Sequence, residues 1–157
     1  MPESKHVLFV CTGNLCRSPM AEAMFRHMVQ DMPGYVVDSA GVCAAGGEFP
    51  SLETLEILAA RGILSDGLVS KPLTKAIIKR STHIFTMTDM HRRSIVKMYP
   101  KADRKTYLVT EFCEINGRIG SDIPDPIGLG MAAYEELYEM LKAALPTVFK
   151  FIDQTSR

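Results

Sequence analysis

The chain has 157 residues, of which 46% are hydrophobic and 23% charged, and its 18 Lys and Arg balance its 18 Asp and Glu. These values are typical of a soluble globular protein and predict one domain over residues 1–157. We also expect a monomer. No apolar run approaches the roughly 18 residues that cross a bilayer, and residues 1–6 lack the pattern of a signal peptide. We therefore expect a cytoplasmic protein with no membrane partner.

Strands and helices are predicted to alternate along the chain. In order, they are a strand over Val7–Val10, a helix over Pro19–Val29, a strand over Tyr35–Ser39, a helix over Ser51–Arg61, a helix over Leu73–Arg80, a strand over Thr82–Met87, a helix over Asp89–Met98, a strand over Lys105–Val109, a loop over Asn116–Gly130 and a long C-terminal helix. This pattern predicts one doubly wound parallel sheet. Ligands of such sheets bind beyond the carboxyl ends of the strands, so the loop after the first strand is the expected site.

Two prolines mark predicted features of the helices. Ser18 and Pro19 suit the N-cap and first position of the first helix. The C-terminal helix carries an apolar stripe from Tyr134 to Val148, and we expect Pro146 to bend or restart it.

The four cysteines, Cys11, Cys16, Cys43 and Cys113, are too sparse for a disulfide framework. Cys-x-x-Cys pairs and interleaved histidines are absent from the sequence, so we predict reduced thiols, no metal site and no cofactor.

Basic residues concentrate between positions 71 and 105, where ten Lys and Arg accompany two Asp and Glu. One interpretation is a solvated basic helix face. The other is a rim that attracts phosphorylated or acidic substrates. No nucleic-acid-binding motif occurs, so we expect no nucleic-acid partner.

The most informative segment is 6–19, His-Val-Leu-Phe-Val-Cys-Thr-Gly-Asn-Leu-Cys-Arg-Ser-Pro. It places Cys11 at the end of a strand and Arg17 six positions later, just before a helix. Gly13 lets the backbone approach a ligand closely, and the loop N–H groups and the helix N-terminus both favour an anion. The guanidinium matches two oxygens of a phosphate. The segment therefore predicts an oxyanion site, where the same positive field makes a thiolate nucleophile.

Each residue type in this loop also has an ordinary structural role. A cysteine at a strand end is often a small buried hydrophobe. The hydroxyl of Ser18 either donates to the thiolate or caps the helix. The combination of residues, more than any one of them, favours the chemical interpretation.

The run Cys-Thr-Gly-Asn-Leu-Cys-Arg-Ser-Pro between a strand and a helix resembles the first-loop signature of the low-molecular-weight protein-tyrosine phosphatase family. The likeness continues in 38–41 (Asp-Ser-Ala-Gly), in 85–88 (Phe-Thr-Met-Thr) and in 125–126 (Asp-Pro). It implies a flavodoxin-like three-layer α/β/α fold whose four-stranded parallel sheet has the order 2-1-3-4. It also implies a cysteine-dependent phosphatase that acts on phosphorylated proteins through a phosphocysteine intermediate.

The resemblance assigns roles to individual residues. Cys11 is the implied nucleophile, Arg17 the phosphate clamp and transition-state stabiliser, and Asp125 the general acid and base. Asp122 is the fallback acid, although loop aspartates commonly serve turns. Asn14 is implied to hold the loop in a left-handed conformation. The phosphate loop and its implied support comprise Thr12, Gly13, Asn14, Leu15, Cys16, Ser18 and Ser39.

The chain departs from the tyrosine-directed pattern after the Asp-Pro pair, where Ile127 and Gly128 replace the aromatic residues of many members. Leu68 stands where many members have a histidine that supports the loop. Several segments are even more similar to the bacterial branch that includes protein arginine phosphatases. In that branch a threonine occupies the position of Leu15 and helps select phosphoarginine.

Three residues are candidates for substrate specificity, namely Leu15, Phe49 and Ile127. An apolar Leu15 packs on a ring and cannot hydrogen-bond a guanidinium, so phosphotyrosine is the favoured substrate and phosphoarginine the alternative. Phe49 either supplies the missing aromatic wall or packs elsewhere.

Other functions fit the sequence less well. Arsenate reductases of this fold need two further cysteines, and none lies between Cys43 and Cys113. A phosphocarrier module lacks the arginine and the Asp-Pro acid, and a non-catalytic binding protein would lose Cys11, Arg17 or Asp125. The family also implies that Cys16 can form a reversible, protective disulfide with Cys11 under oxidation.

Overall fold

A computed structural model describes residues 4–155 of the chain. Its elements are β1 (Lys5–Cys11), α1 (Arg17–Met28), β2 (Tyr35–Gly41), α2 (Leu52–Ala60), α3 (Lys75–Arg80), β3 (His83–Thr86), α4 (Asp89–Met98), a 3-10 helix (Pro100–Lys105), β4 (Thr106–Leu108), β5 (Glu114–Ile115), β6 (Arg118–Ile119) and α5 (Met131–Thr155). Every strand and helix predicted from the sequence is present, with ends shifted by a few residues.

The parallel sheet has the predicted order, β2-β1-β3-β4. β1 lies between β2 and β3, with Cys11 opposite Gly41 on one side and Val10 opposite Thr86 on the other. The chain runs from β1 to β2 on one side of the sheet and then crosses back to β3 on the other side of β1. This reversal opens a crevice between the carboxyl ends of β1 and β3. The loop after Cys11 lies at this switch point.

Helices cover both faces of the sheet and complete the predicted flavodoxin-like three-layer fold. Phe9 of β1 packs with Phe25 of α1, at 5.6 Å between ring centroids, in a core that α2 and α5 also cover. Leu8, its neighbour, faces the opposite side and packs with Ile78 of α3 and Ile95 of α4. Both faces of β1 are therefore buried, which explains its continuous apolar run.

The prediction that Ser18 caps the first helix is wrong. The helix begins at Arg17, its N-cap position is Cys16, and no described side chain caps it. Ser18 is fully buried and bonds to the phosphate loop instead. Pro19 is tolerated in the first turn because backbone N–H groups there have no intrahelical partner. The early start places Arg17 on a helix instead of in a loop.

Part of the segment predicted as loop over 116–130 is an antiparallel hairpin, in which β5 and β6 flank Asn116 and Gly117. Both turn residues have positive φ, +51° and +79°. Asn-Gly is the preferred dipeptide for such two-residue turns. Strands of two residues are too short for a periodic pattern, so the dipeptide was the available signal.

α5 continues through Pro146, so the predicted restart is wrong. Leu145 and Val148, on either side of the proline, are fully buried. Burial of the apolar stripe offsets the loss of one backbone hydrogen bond. Over residues 4–155, none of the helices is long and apolar enough to span a membrane.

Basic residues of segment 71–105 make contacts within the protein. Lys71 and Arg80 both pair with Asp38. The Lys105 ammonium donates to the carbonyl oxygen of Ile78 at 2.7 Å, near the end of α3. These contacts favour the first interpretation, a solvated basic face, which here also links separate elements. They argue against the second interpretation, a rim that attracts substrates.

Candidate active site

Cys11 ends β1 and lies at the base of the loop 12–17, with only 2% of its surface exposed. The Ser18 hydroxyl is 2.9 Å from the Cys11 sulfur. The backbone N–H of Asn14 donates to the same sulfur at 3.3 Å. Both contacts, together with the N-terminus of α1, favour negative charge on the sulfur.

Asn14 fixes the shape of this loop. It has a left-handed φ of +57° and is 1% exposed. Its side-chain amide donates to Ser18 Oγ at 2.7 Å and to Ser39 Oγ at 2.9 Å, and its Oδ1 accepts the backbone N–H of Lys71. Asparagine tolerates this conformation better than most residues. Since the amide donates to Ser18 Oγ, the hydroxyl proton of Ser18 is free to point at Cys11.

The sequence analysis missed Glu22, which extends this network. The Ser39 hydroxyl donates to Glu22 Oε1 at 2.5 Å, and Arg26 pairs with the same carboxylate. Burial raises the pKa of Glu22, and the Ser39 hydrogen bond opposes that shift in part. Glu22 follows Ser18 by four residues on α1, so helical spacing was the signal that could have found it.

Arg17 is held at both ends of its guanidinium and is 5% exposed. Nη1 donates to the carbonyl oxygen of Ile123 at 2.9 Å, and Nη2 donates to Thr12 Oγ1 at 3.4 Å. These contacts orient the planar group across the loop. A guanidinium that is already oriented binds a phosphate with little further loss of side-chain freedom.

The Asp-Pro loop brings Asp125 to this guanidinium. Asp125 Oδ2 lies 3.7 Å from Arg17 Nη2, and its side chain is 47% exposed. Oδ1 accepts the backbone N–H of Ile127, which makes a local turn. Asp122 instead accepts the N–H of Asp89 at the start of α4. Asp125 is therefore the carboxylate beside the Arg17 guanidinium, and Asp122 links two elements.

His91 is a second residue that the sequence analysis missed. Its Nε2 lies 2.8 Å from Thr12 Oγ1, and the residue is 3% exposed. Burial, with a contribution from the charge of Arg17, lowers the pKa of His91 to about 4. His91 is in the first turn of α4, where a capping pattern after Thr88 was the available signal.

The candidate specificity residues lie in three different loop segments. The Leu15 carbonyl accepts the N–H of Ser51 at 2.9 Å, which holds the segment 49–51 against the loop. Leu15 packs partly on the core. Phe49 is 77% exposed and Ile127 is 54% exposed. Phe49 is therefore not a core residue.

Cys16 is buried, and its sulfur lies 3.2 Å from the hydroxyl of Tyr134. Burial raises the pKa of the Cys16 thiol, and burial raises the pKa of Tyr134 to about 12. Cys11 and Cys16 are both free thiols in the structure.

A groove of about 640 Å³ lies elsewhere, between α5 and the β5–β6 hairpin. Four of its lining residues are glutamates, Glu114, Glu135, Glu136 and Glu139. Their charge repels a phosphate dianion, so this groove is not the oxyanion site. Within residues 4–155, no group of three His, Cys, Asp or Glu side chains is placed to hold a metal ion.

Comparison with known proteins identifies the family. The family model described as low molecular weight phosphotyrosine protein phosphatase matches residues 6–157. This chain belongs to that family. The protein-arginine-phosphatase of Geobacillus stearothermophilus is 38% identical over 139 residues, which cover 88% of this chain and 90% of that protein.

Relatives named for tyrosine phosphatase activity are similar to a comparable degree. The low molecular weight protein-tyrosine-phosphatase PtpB of Staphylococcus haemolyticus is 36% identical over 86% of this chain and 91% of that protein. The crystal structure of the low molecular weight protein tyrosine phosphatase from T. tengcongensis matches with a TM-score of 0.84 and 34% identity, over 94% of this chain and 99% of that one.

Proposed function

We propose that this phosphatase hydrolyses phosphotyrosine in proteins through a phosphocysteine intermediate on Cys11. The observation that carries the proposal is the convergence of three groups on one loop. Cys11 lies at the base of the loop, Arg17 crosses it, and Asp125 lies 3.7 Å from the guanidinium. A nucleophile, a clamp and a proton donor are the groups that phosphoryl transfer to sulfur requires.

In the first step, the Cys11 thiolate attacks phosphorus and forms an S–P bond. The P–O bond to the tyrosine oxygen breaks, and Asp125 gives its proton to that oxygen. Arg17 and the loop N–H groups neutralise the charge on the equatorial oxygens. Arg17 needs little reorganisation because Ile123 and Thr12 already hold it.

In the second step, a water molecule attacks phosphorus and gives a proton to the carboxylate of Asp125. The S–P bond breaks, inorganic phosphate forms, and the electron pair returns to the Cys11 sulfur. The Ser18 hydroxyl, 2.9 Å from that sulfur, stabilises the leaving thiolate. The reaction is therefore ping-pong, and it restores the starting enzyme.

Leu15 supports phosphotyrosine as the substrate. Its side chain is only partly buried, and its carbonyl oxygen anchors the segment that carries exposed Phe49. Apolar surface at the loop favours an aromatic ring over a charged, hydrogen-bonding guanidinium. The second candidate substrate is phosphoarginine, which the name of the Geobacillus relative favours.

The chemistry is tested with a Cys11→Ser variant. We expect it to lose turnover of p-nitrophenyl phosphate and to retain binding of inorganic phosphate, because the loop and Arg17 remain. Normal hydrolysis by this variant would show that the mechanism is wrong.

The substrate is tested by measuring kcat/KM on phosphotyrosine and phosphoarginine peptides. We expect the wild type to prefer phosphotyrosine and Leu15→Thr to shift the ratio towards phosphoarginine. Leu15→Ile is the control, since it keeps an apolar side chain and should leave the ratio unchanged. A wild-type preference for phosphoarginine would overturn the substrate assignment.

Four further predictions accompany this function. The family match over residues 6–157 supports a single phosphatase domain. A thiol nucleophile must stay reduced, which supports a cytoplasmic location. Phosphorylated proteins are the proposed partners, and we infer a monomer. Size-exclusion chromatography with light scattering tests the monomer.

A further inference from the structure

His91 connects the start of α4 to the phosphate loop. On one side, its Nε2 lies 2.8 Å from Thr12 Oγ1. On the other side, its Nδ1 lies 3.2 Å from the backbone nitrogen of Thr88. The ring is 3% exposed, so both nitrogens are satisfied by the protein and not by solvent. Thr12 is the residue directly after the nucleophile Cys11.

These contacts determine which nitrogen of His91 carries the proton. A backbone N–H only donates, so Nδ1 accepts from the Thr88 nitrogen. The Thr88 hydroxyl, 3.0 Å from Nδ1, accepts the backbone N–H of His91 and gives its own proton to Nδ1, which agrees with this assignment. In a neutral imidazole the other nitrogen then carries the proton, and Nε2 donates to Thr12. The low pKa of about 4, caused first by burial and then by Arg17, keeps the ring neutral near pH 7, although Asp122 and Asp125 oppose the shift.

The Thr12 hydroxyl therefore accepts two hydrogen bonds. One comes from His91 and the other from Arg17 Nη2 at 3.4 Å. These donors occupy both lone pairs, so the proton of Thr12 points away from them. Thr12 is solvent-exposed, and the same Nη2 lies 3.7 Å from Asp125. The remaining direction faces away from His91 and Arg17, on the exposed side of the loop.

We propose that His91 is a positioning residue that acts through Thr12. It holds the Thr12 oxygen as an acceptor for Arg17 and directs the Thr12 proton at the bound phosphoryl group. His91 transfers no proton in this role. The inference rests on the proposed phosphatase function. It adds His91, which lies 79 positions after Thr12 in the sequence, to the groups that shape the loop.

Two substitutions separate this role from the role of His91 in its own helix. In His91→Asn, Oδ1 takes the place of Nδ1 and still accepts the Thr88 N–H, but the side chain is too short to reach Thr12. In His91→Gln, the amide nitrogen takes the place of Nε2 and donates to Thr12, and glutamine at this third helical position also accepts the Thr88 N–H through Oε1. The first variant keeps only the helix contact, and the second keeps both contacts.

We expect His91→Asn to lower kcat/KM for p-nitrophenyl phosphate about tenfold or more, the effect of losing one hydrogen bond to a charged network. Its thermal unfolding should stay close to that of the wild type. His91→Gln should keep kcat/KM within about twofold of wild type, because it retains the donor to Thr12, and it should unfold close to the wild-type temperature. The Kd for inorganic vanadate should rise in His91→Asn only.

Thr12→Val completes the test, because it keeps the shape of Thr12 and removes its hydroxyl. We expect a loss similar to that of His91→Asn, and no further loss when the two are combined. The inference would be overturned if the losses in the double variant multiplied, or if His91→Asn were fully active. It would also be overturned if His91→Gln were as impaired as His91→Asn. An inactive wild type would instead overturn the proposed function.

Discussion

Gly41 lies so close to Thr12 that a Cβ atom on Gly41 would be 2.6 Å from the Thr12 carbonyl oxygen. The same atom would be 3.0 Å from the backbone nitrogen of Asn14. Across the strands Gly41 pairs with Cys11, so the phosphate loop rests directly on the end of β2. The Cβ of Ala44, at 2.9 Å, is a third obstructing atom. Since the two atoms of the phosphate loop belong to its backbone, a side chain at this position would have to move the loop.

We therefore expect Gly41→Ala to lower kcat/KM for p-nitrophenyl phosphate by about 100-fold, because displacement of the loop misplaces its N–H groups. The free energy of unfolding should fall by roughly 1–3 kcal/mol. Gly67→Ala is the matched control, since Gly67 has a φ of +79° with open space around it. It should lose stability and keep its activity. Turnover near the wild-type value in Gly41→Ala would contradict the prediction.

Substitutions of Asn14 separate its side-chain contacts from its backbone conformation. Asn14→Ala and Asn14→Gly both lose the hydrogen bonds to Ser18 and Ser39, so we expect a similar drop in kcat/KM. At a φ of +57°, alanine is strained and glycine is not, so the glycine variant should be more stable by about 1 kcal/mol. Urea unfolding measures the difference. Full activity of the glycine variant would show that the amide contacts are dispensable.

The role of Asp125 is tested through the leaving group. We expect Asp125→Asn to reduce kcat strongly for phenyl phosphate, whose leaving oxygen needs a proton, and much less for p-nitrophenyl phosphate. Asp122→Asn is the control, since Asp122 contacts the start of α4. It should affect both substrates equally. If Asp122→Asn showed the same selective loss, Asp122 would be the acid and the assignment to Asp125 would be wrong.

The stability of the protein should depend on the protonation of His91. Its pKa is about 4 in the folded protein and ordinarily 6.5, so an unfolded chain takes up the proton first as pH falls. The contribution of the neutral ring to the free energy of unfolding is fully present above pH 6.5. It is lost as pH falls from 6.5 to 4, and this loss is at most about 3 kcal/mol.

Urea unfolding of wild type and His91→Asn at each pH measures this effect as a difference. The raised pKa of Glu22 acts in the opposite direction, and the comparison cancels it because both proteins retain Glu22. The wild type should lose stability relative to His91→Asn as pH falls. Parallel curves for the two proteins would contradict the predicted titration.

Oxidation should be reversible only when Cys16 is present. Peroxide converts Cys11 to a sulfenic acid, and attack by Cys16 then forms a disulfide and releases water. We expect dithiothreitol to restore wild-type activity after treatment with excess peroxide. It should fail with Cys16→Ser, where a second equivalent of peroxide carries the sulfenic acid of Cys11 to a sulfinic acid, which thiols do not reduce. Cys43→Ser, which changes an exposed thiol, should behave like the wild type. Irreversible loss in the wild type would refute a protective disulfide.

The parallel sheet and the loop of Cys11 and Arg17 were predictable because local signals carry them, whereas the strand order and the choice of Asp125 came from the resemblance to the family. Cys11 and Arg17 lie in one short segment, and the Asp-Pro pair marks Asp125. The alternation of apolar strands and amphipathic helices then predicts a parallel sheet.

Glu22 and His91 were not predictable in the same way, because nothing beside them in the sequence indicates what they contact. His91 meets a loop residue 79 positions away, a contact that only the packing of α4 beside β1 creates. Of the two roles predicted for Ser18, the structure has the contact with Cys11 and not the helix cap. Local propensity favours a helix cap, whereas burial beside Asn14 directs its hydroxyl to Cys11.

Ile123 is bonded on both sides of the crevice. Its N–H donates to the Met87 carbonyl oxygen, and its own carbonyl oxygen accepts Arg17 Nη1, each at 2.9 Å. These two hydrogen bonds hold the chain in place just before Asp125. Ile127 and Leu129, which follow Asp125, are exposed. Insertions after Ile127 can build new walls for a substrate without moving Asp125. Substrate range can thus diverge on this scaffold by lengthening one surface segment while the chemistry is retained.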